Sequence, residues 1–371
     1  MKVVKIMLIC LSFCFIFGIY ANAQQDYSAL IESTGADELY NSLDEDVKNA
    51  LDELGINKVD FGNLFDISFE NVFNIFKNVF NGSLEAPFKS LAKLLCVIIL
   101  VSIGESFIPD DDKYKSTIGM ISALFCISAV IVPLYQAMES AVSSVTVSGG
   151  FMKSLIPVLV GVVSASGNPT LALSFQSIAF SLAQAISLFS EKYVVPVAGA
   201  VIAIDLTGSL MPSYKLSGIT DLIKKTVTGV MSFIATLYVS FLGIKGALAN
   251  AADSVANKGI KLIISSAVPV VGSAVSEAYS GIIGSLILVR STVGIFGIIV
   301  IAVITVPAII QLLFWIFALK IGASVSELFL QGTVSQLLKA LSSAITLVNV
   351  VLLFNAVLFI ISLALVLAIK Q

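Results

Sequence analysis

From residue 88 to residue 370 the chain is one apolar segment after another, and before residue 88 it is not. Lipid offers no hydrogen-bond partners, so a segment that crosses a bilayer closes its backbone bonds within a helix, which takes about 20 mostly apolar residues. The pattern predicts spans at 88–107, 118–138, 194–212, 227–247, 294–318 and 341–369. Between them lie two stretches broken by proline and small residues, 155–189 and 263–289. Proline removes a backbone donor and clashes with the preceding turn. In the first stretch, about eleven residues run from Leu155 through Pro157 and Gly161 to Gly167-Asn168-Pro169, a strong turn signal. That arm would rise about 16 Å as a helix, half a bilayer, so a re-entrant hairpin is expected. In the second, Pro269 and Gly272 precede a small-residue turn at 276–281 that ends in Gly281. A hairpin and a kinked full helix both fit there.

Upstream of residue 88 the pattern changes twice. Met1-Lys2-Val3-Val4-Lys5 is basic, residues 6–20 are apolar, and Ala21-Asn22-Ala23 offers small residues where a signal peptidase reads. Residues 1–23 are therefore expected to be a cleavable signal peptide, which places the mature amino terminus outside the cytoplasm. In residues 24–87 acidic side chains such as Asp44, Glu45, Asp46, Asp52 and Asp60 outnumber Lys48, Lys58 and Lys77. Leu39, Leu43, Val47, Leu51 and Leu54 recur at helical spacing, and Gly55 is the stop signal. A second stripe, Phe69, Val72, Phe73, Phe76, Val79 and Phe80, suits a helix in the headgroup layer better than the core of a small domain. The reading is a small, acidic, helical extracytoplasmic domain over 24–87. It is too short to bury much core alone, so it is expected to dock on the membrane or on a partner.

Within the apolar body, residues 88–371, one order recurs: span, polar loop, span, small-residue segment, broken stretch. Residues 88–190 and 194–290 give two copies, and 294–371 gives a third without the hairpin. Residues 137–145 echo 247–255, and 215–225 echo 330–339. Internal repeats often flank a working site, although chance likeness among Ala/Ser/Val-rich segments explains these echoes nearly as well. An external amino terminus puts loops 109–117, 213–226 and 319–340 in the cytoplasm. Their lysines barely exceed those assigned outside, so the positive-inside rule supports this topology only weakly.

Composition agrees with the pattern: 57% of residues are hydrophobic and 12% charged, with a mean hydropathy of +1.01. Soluble domains carry roughly a quarter charged residues. A net charge of −3 gives no basic face for nucleic acid. The absence of histidine removes the commonest general base, zinc ligand and triad member. Of four cysteines, Cys10 and Cys14 fall in the leader. Cys96 and Cys126 sit in apolar runs, where a thiol behaves as a small hydrophobe. Phosphate-binding glycine motifs and nucleophile–base pairs are missing, so the reading is non-enzymatic, with no cofactor and no metal. An ionisable group in a span costs several kcal/mol unless paired or hydrated. Asp205 is the deepest such group, read either as a coupling carboxylate in a wet cavity or as a partner in an inter-helix hydrogen bond.

Several segments together resemble the stage III sporulation protein AE family: Leu51 to Ile56 (LDELGI), 150–157 (GFMKSLIP), 214–224 (YKLSGITDLIK), 241–246 (FLGIKG) and 261–272 (KLIISSAVPVVG). The likeness covers almost the whole mature chain, in order. One departure is the turn at 164–169 (SASGNP), where the family pattern leads through a longer glycine-rich stretch to a histidine-proline pair. No role of that histidine carries over to this chain.

The resemblance implies a polytopic protein of the mother-cell membrane that surrounds the forespore. It also implies partners: the other proteins of the stage III sporulation A complex, including its ATPase, and a forespore membrane protein that completes a channel needed for late forespore gene expression. Fold and function are expected accordingly. The fold is all-α, with about six spanning helices, two Pro-broken hairpins and a helical extracytoplasmic amino-terminal domain. The function is that of a membrane-embedded channel subunit. Its hairpins, marked by Pro157, Gly161, Gly167, Pro169, Pro269, Gly272 and Gly281, would form the gate. A secondary transporter coupled through Asp205 and a non-conducting membrane scaffold are the alternatives.

Overall fold

The computed structural model describes residues 35–60, 64, 69–105, 107, 112–189, 192–193, 195–210, 217–267 and 272–368. Every element in them is a helix: α1 (Ala36–Asn41), α2 (Glu45–Glu53), α3 (Phe69–Glu105), α4 (Asp112–Ala165), α5 (Pro169–Phe189), α6 (Val195–Leu210), α7 (Ser217–Ala267), α8 (Gly272–Leu328) and α9 (Gly332–Ala368). The expected leader at 1–23 and Pro269 lie outside the described residues.

Among the described residues five helices are long and apolar enough to cross a membrane: Phe73–Gly104, Thr117–Ala165, Gly218–Ile260, Ser280–Leu328 and Gly332–Leu367. This is an all-helical, multi-pass membrane protein. Within the sixth expected span, 194–212, the described helix is the 16-residue α6, with Pro196–Asp205 its apolar part. The other helices are longer than expected. The 54 residues of α4 and the 57 of α8 measure about 80 Å each, against roughly 30 Å of hydrocarbon.

Length follows from continuity through the prolines. Helix α4 runs unbroken through Pro133 and Pro157, α8 through Pro307 and α3 through Pro87. An interior proline costs about 3 kcal/mol. At Pro157 the flanking residues Leu155, Ile156, Leu159, Val162 and Val163 are all buried, and burying each such side chain returns about 1.5–3 kcal/mol. Packing therefore overrides the break expected at Pro157. In the second stretch residues 276–281 are helical, within α8, as the kinked-helix alternative allows.

The core is built on α8 and α9, which pack along each other; α4 lies against both, and α3 against α4 and α8. Trp315, Phe296 and Phe359 fill its middle. Backbones come close where glycine faces a leucine. A Cβ on Gly297 would lie 2.5 Å from Leu155 Cδ2 and 3.1 Å from Leu363 Cδ1, and one on Gly294 would lie 2.5 Å from Leu367 Cδ2. Polar bonds cross the same interfaces. Asn355 Nδ2 donates to Ser148 Oγ at 2.8 Å, and Gln331 Nε2 to the Ile98 carbonyl at 3.0 Å. Ser362 Oγ donates to the Leu358 carbonyl, so Tyr238 Oη is the donor in its 2.6 Å contact with Ser362 Oγ.

The predicted amino-terminal stripe is buried at Leu39, Leu43, Val47, Leu51 and Leu54. It is divided between α1 and α2 by the reversal at Ser42–Asp44. Gly55 ends α2 at φ 83, with Ile56 N–H bonded to the Leu51 carbonyl at 2.9 Å, the left-handed cap its position predicts. Helix α1 touches α4, and α2 touches α3 and α8. Tyr40 Oη donates to Asp52 Oδ1 at 2.5 Å. Burial, and then that bond and charge, push the phenol up to about 12. This contribution is full below the phenol's ordinary value near 10 and is lost as pH rises through the folded value. In the aromatic stripe, Phe73 is exposed, and Phe80 meets Phe314 edge-on at 4.9 Å between centroids.

Replacing Gly297 by valine should cost about 1–3 kcal/mol, since the added methyls meet Leu155 and Leu363. In the Gly297→Val/Leu155→Ala double variant the two costs should fall short of their sum by about 1 kcal/mol. Reversible unfolding of the four proteins in one detergent checks this, and strict additivity would refute the contact.

Candidate functional site

A chain reversal inside an apolar bundle leaves polar backbone atoms at both helix ends. Between α4 and α5 only Ser166, Gly167 and Asn168 are non-helical. The α4 end closes on itself: Asn168 N–H bonds to the Val163 carbonyl at 3.2 Å and Gly167 N–H to the Ser164 carbonyl at 3.1 Å. Gly167 stands at φ +85. A Cβ there would also fall 2.8 Å from Asn257 Oδ1. Glycine is thus required twice, for the left-handed backbone and for the approach of α7.

Pro169 takes the first helical position of α5, where its missing N–H costs nothing. The next two donors are met from another helix. Asp253 of α7 accepts Thr170 N–H on Oδ1 at 3.2 Å and Leu171 N–H on Oδ2 at 3.0 Å. One turn further along α7, Asn257 Nδ2 donates to the Gly167 carbonyl at 2.7 Å. Asp253 is 3% exposed. A buried carboxylate is costly unless it is hydrogen-bonded, and a helix amino terminus also offers it a favourable dipole. Three hydrogen bonds from two side chains fix the hairpin tip onto α7. Below the tip, Leu171, Phe175, Leu242 and Val366 close a crevice between α5, α7 and α9 that Lys245 borders.

Of the residues singled out in the sequence, Gly167 and Pro169 meet in this turn. Pro157 and Gly161 lie up to three turns back on α4, and a Cβ on Gly161 would meet nothing within 4 Å. Gly272 opens α8, and Gly281 lies within it with open space around its Cα. Pattern reasoning missed Asp253 and Asn257, which stand four apart on one face of an Ala-rich helix. That spacing was the available signal.

Asp205 is a separate feature, between α6 and α7. Thr220 Oγ1 donates to its Oδ1 at 2.6 Å, and Lys224 Nζ lies 3.1 Å from its Oδ2 with the two side chains 9% and 16% exposed. The carboxylate is paired and hydrogen-bonded, as the inter-helix reading requires. Arg290 is buried on α8.

A family model described as stage III sporulation protein AE matches residues 56–370. A relative named stage III sporulation protein AE, from Bacillus subtilis (strain 168), is 22% identical over 280 residues, covering 74% of this chain and 70% of that protein. No solved structure matches.

Replacing Asp253 by alanine should release the Thr170 and Leu171 amides and cost about 1–3 kcal/mol. Hydrogen exchange at the start of α5 should rise selectively, and unchanged protection there would refute the clamp. For the other pair, Asp205→Leu alone should cost about 1.5–3 kcal/mol, because the half-buried Lys224 loses the carboxylate it faces. Most of that loss should return in Asp205→Leu/Lys224→Leu. A carboxylate needed for transport would instead leave the double variant stable and inactive.

Proposed function

The chain belongs to the stage III sporulation protein AE family, and from that premise we propose that it is a membrane-embedded subunit of the channel joining mother cell and forespore. It is a multi-pass membrane protein of sporulation. On this reading it sits in the mother-cell membrane around the forespore with its amino-terminal helices extracytoplasmic. It works with the other stage III sporulation A proteins, whose ATPase supplies the energy, and with a forespore membrane partner. Late forespore transcription depends on the assembly. The chain itself catalyses no reaction.

The observation that carries the gating part is the α4–α5 tip, a membrane-protein hairpin held by side-chain hydrogen bonds from one neighbouring helix. Such a joint opens by exchanging three hydrogen bonds, whereas the rest of α4 is bound mainly by apolar packing, with the Asn355–Ser148 bond beside it. Pro157 favours bending in the helix that leads to the joint, and Pro269 is the second proline that the gating reading invokes.

A scaffold reading has its own support, since residues 155–163 turn a fully packed face to the core. A gate then has to lie at the hairpin tip and between subunits instead of through the middle of one chain.

Two measurements decide. With Pro157→Ala and Pro269→Ala combined in the sporulating host, a late forespore reporter should fall sharply while the protein stays at normal level in the membrane. Normal reporter activity sinks the gating role. Single cysteines placed through 155–170 and 263–281 should react with a water-soluble maleimide near the breaks, whereas a scaffold predicts protection throughout.

A further inference from the structure

Helix α7 is the least buried of the five candidate spans, and its outward face has an order that lipid does not ask for. Ile234, Phe241, Leu248 and Val255 are all exposed and stand seven residues apart. Val230, Leu237 and Ile244, also exposed, form a second row offset by three and four. Together they make the 3.5-residue seam of a two-stranded coiled coil, continued by the small Ala251. The exposed positions beside the seam are small, polar or charged: Ser232, Thr236, Ser240, Lys245, Ala247 and Ala252, with Phe233 the exception. A surface made only for lipid carries bulky apolar groups across its whole exposed arc. Small residues flanking a narrow apolar seam let another helix approach closely.

We infer that the α7 seam is the contact between two copies of this chain, paired in parallel and in register. The bilayer itself argues for a second copy. Copies inserted with one topology share depth and direction, so a two-fold axis along the membrane normal brings α7 against α7 with identical layers facing. A heptad seam is built for that arrangement. Charge agrees: the pairing puts Lys245 beside Ser240 of the second copy, not beside a second lysine, so no like charges meet. Area agrees too. The exposed part of the seven large side chains is on the order of 700 Å², close to the ~800 Å² per partner of a stable interface. This inference stands apart from the channel reading, because it concerns copy-to-copy contact whatever the assembly does.

The test uses the full chain with its four cysteines replaced by alanine, reconstituted in phosphatidylcholine/phosphatidylglycerol vesicles at high lipid excess. Single cysteines at Leu237, Phe241, Ile244 and Leu248 should form about tenfold more intermolecular disulfide than those at Ser232 and Thr236, following the 3.5-residue period. Equal crosslinking at all six positions, or none at the seam, overturns the inference and leaves lipid as the occupant. Against the chance that the cysteine-free background folds poorly, the chain with native cysteines is counted by single-molecule photobleaching. Two bleaching steps are expected. Phe241→Ala/Leu248→Ala, on an exposed face, should weaken pairing about tenfold with helicity unchanged. Single-step bleaching of the native chain, or a pairing strength indifferent to both truncations, counts against it.

Discussion

A helix that ends inside an apolar bundle must find partners for the backbone groups it can no longer satisfy. Where α4 turns into α5, the donors at the start of α5 are answered by Asp253, a side chain about 80 residues away in sequence. The rest of the arrangement depends on that answer. Apolar helix surfaces pack with little directionality and tolerate sliding by a turn, so a few polar bonds set the register of long helices. Asp253 and Asn257 hold α7 to the hairpin tip. Tyr238 then ties α7 to α9 through Ser362, and Asn355 ties α9 back to α4 through Ser148. The circuit is closed: α4, α5, α7 and α9 are each pinned near one height by a bond that fails if a helix slips by a single turn.

That circuit also explains how such long helices stay continuous. Helices of 51 to 57 residues are about two and a half times the hydrocarbon thickness, and four interior prolines fall within α3, α4 and α8. None of them breaks its helix, because on at least one face the flanking side chains are buried against a neighbour, as around Pro157. Where the described chain turns between helices, at Ser166–Asn168 and at Phe329–Gln331, glycine lies in the turn or opens the next helix. In this protein glycine and the turn sequence decide where helices end, and proline decides where they are soft.

This division accounts for what the sequence could and could not say. The all-helical, multi-pass character was legible from apolar run length alone, as were the turn at Gly167-Asn168-Pro169 and the stop at Gly55, whose residues act through local backbone geometry. Helix length was not legible. Pro157 reads as a break until the burial of its surroundings is known, and burial is a tertiary quantity. Asp205 marks the end of the apolar part of α6, and its charge is met by Lys224 from the next helix. Asp253 was the least legible of all. It stands in an alanine- and serine-rich segment that resembles residues 137–145, where serine 143 holds the matching place, and nothing local tells a solvated aspartate from one that caps another helix.

Asp205 and Asp253 make the same point through their partners. Asp205 faces a formal positive charge, so the pair can be exchanged for two apolar side chains with little net loss. Asp253 faces backbone amides, which no substitution removes. An apolar residue at 253 leaves two donors of α5 unanswered however well it packs, so that position is constrained by the fold itself in a way that 205 is not. Helix α7 thereby has its rotation set from within: a turn of one residue, about 100°, carries Asp253 and Asn257 off the hairpin tip. Its outward face is fixed at the same time, since Ala251 and Val255 flank Asp253 in sequence and point away from it. Whatever rests against that outer face therefore meets a helix already locked in azimuth by the turn between α4 and α5, and a force that rotates α7 acts first on those three hydrogen bonds.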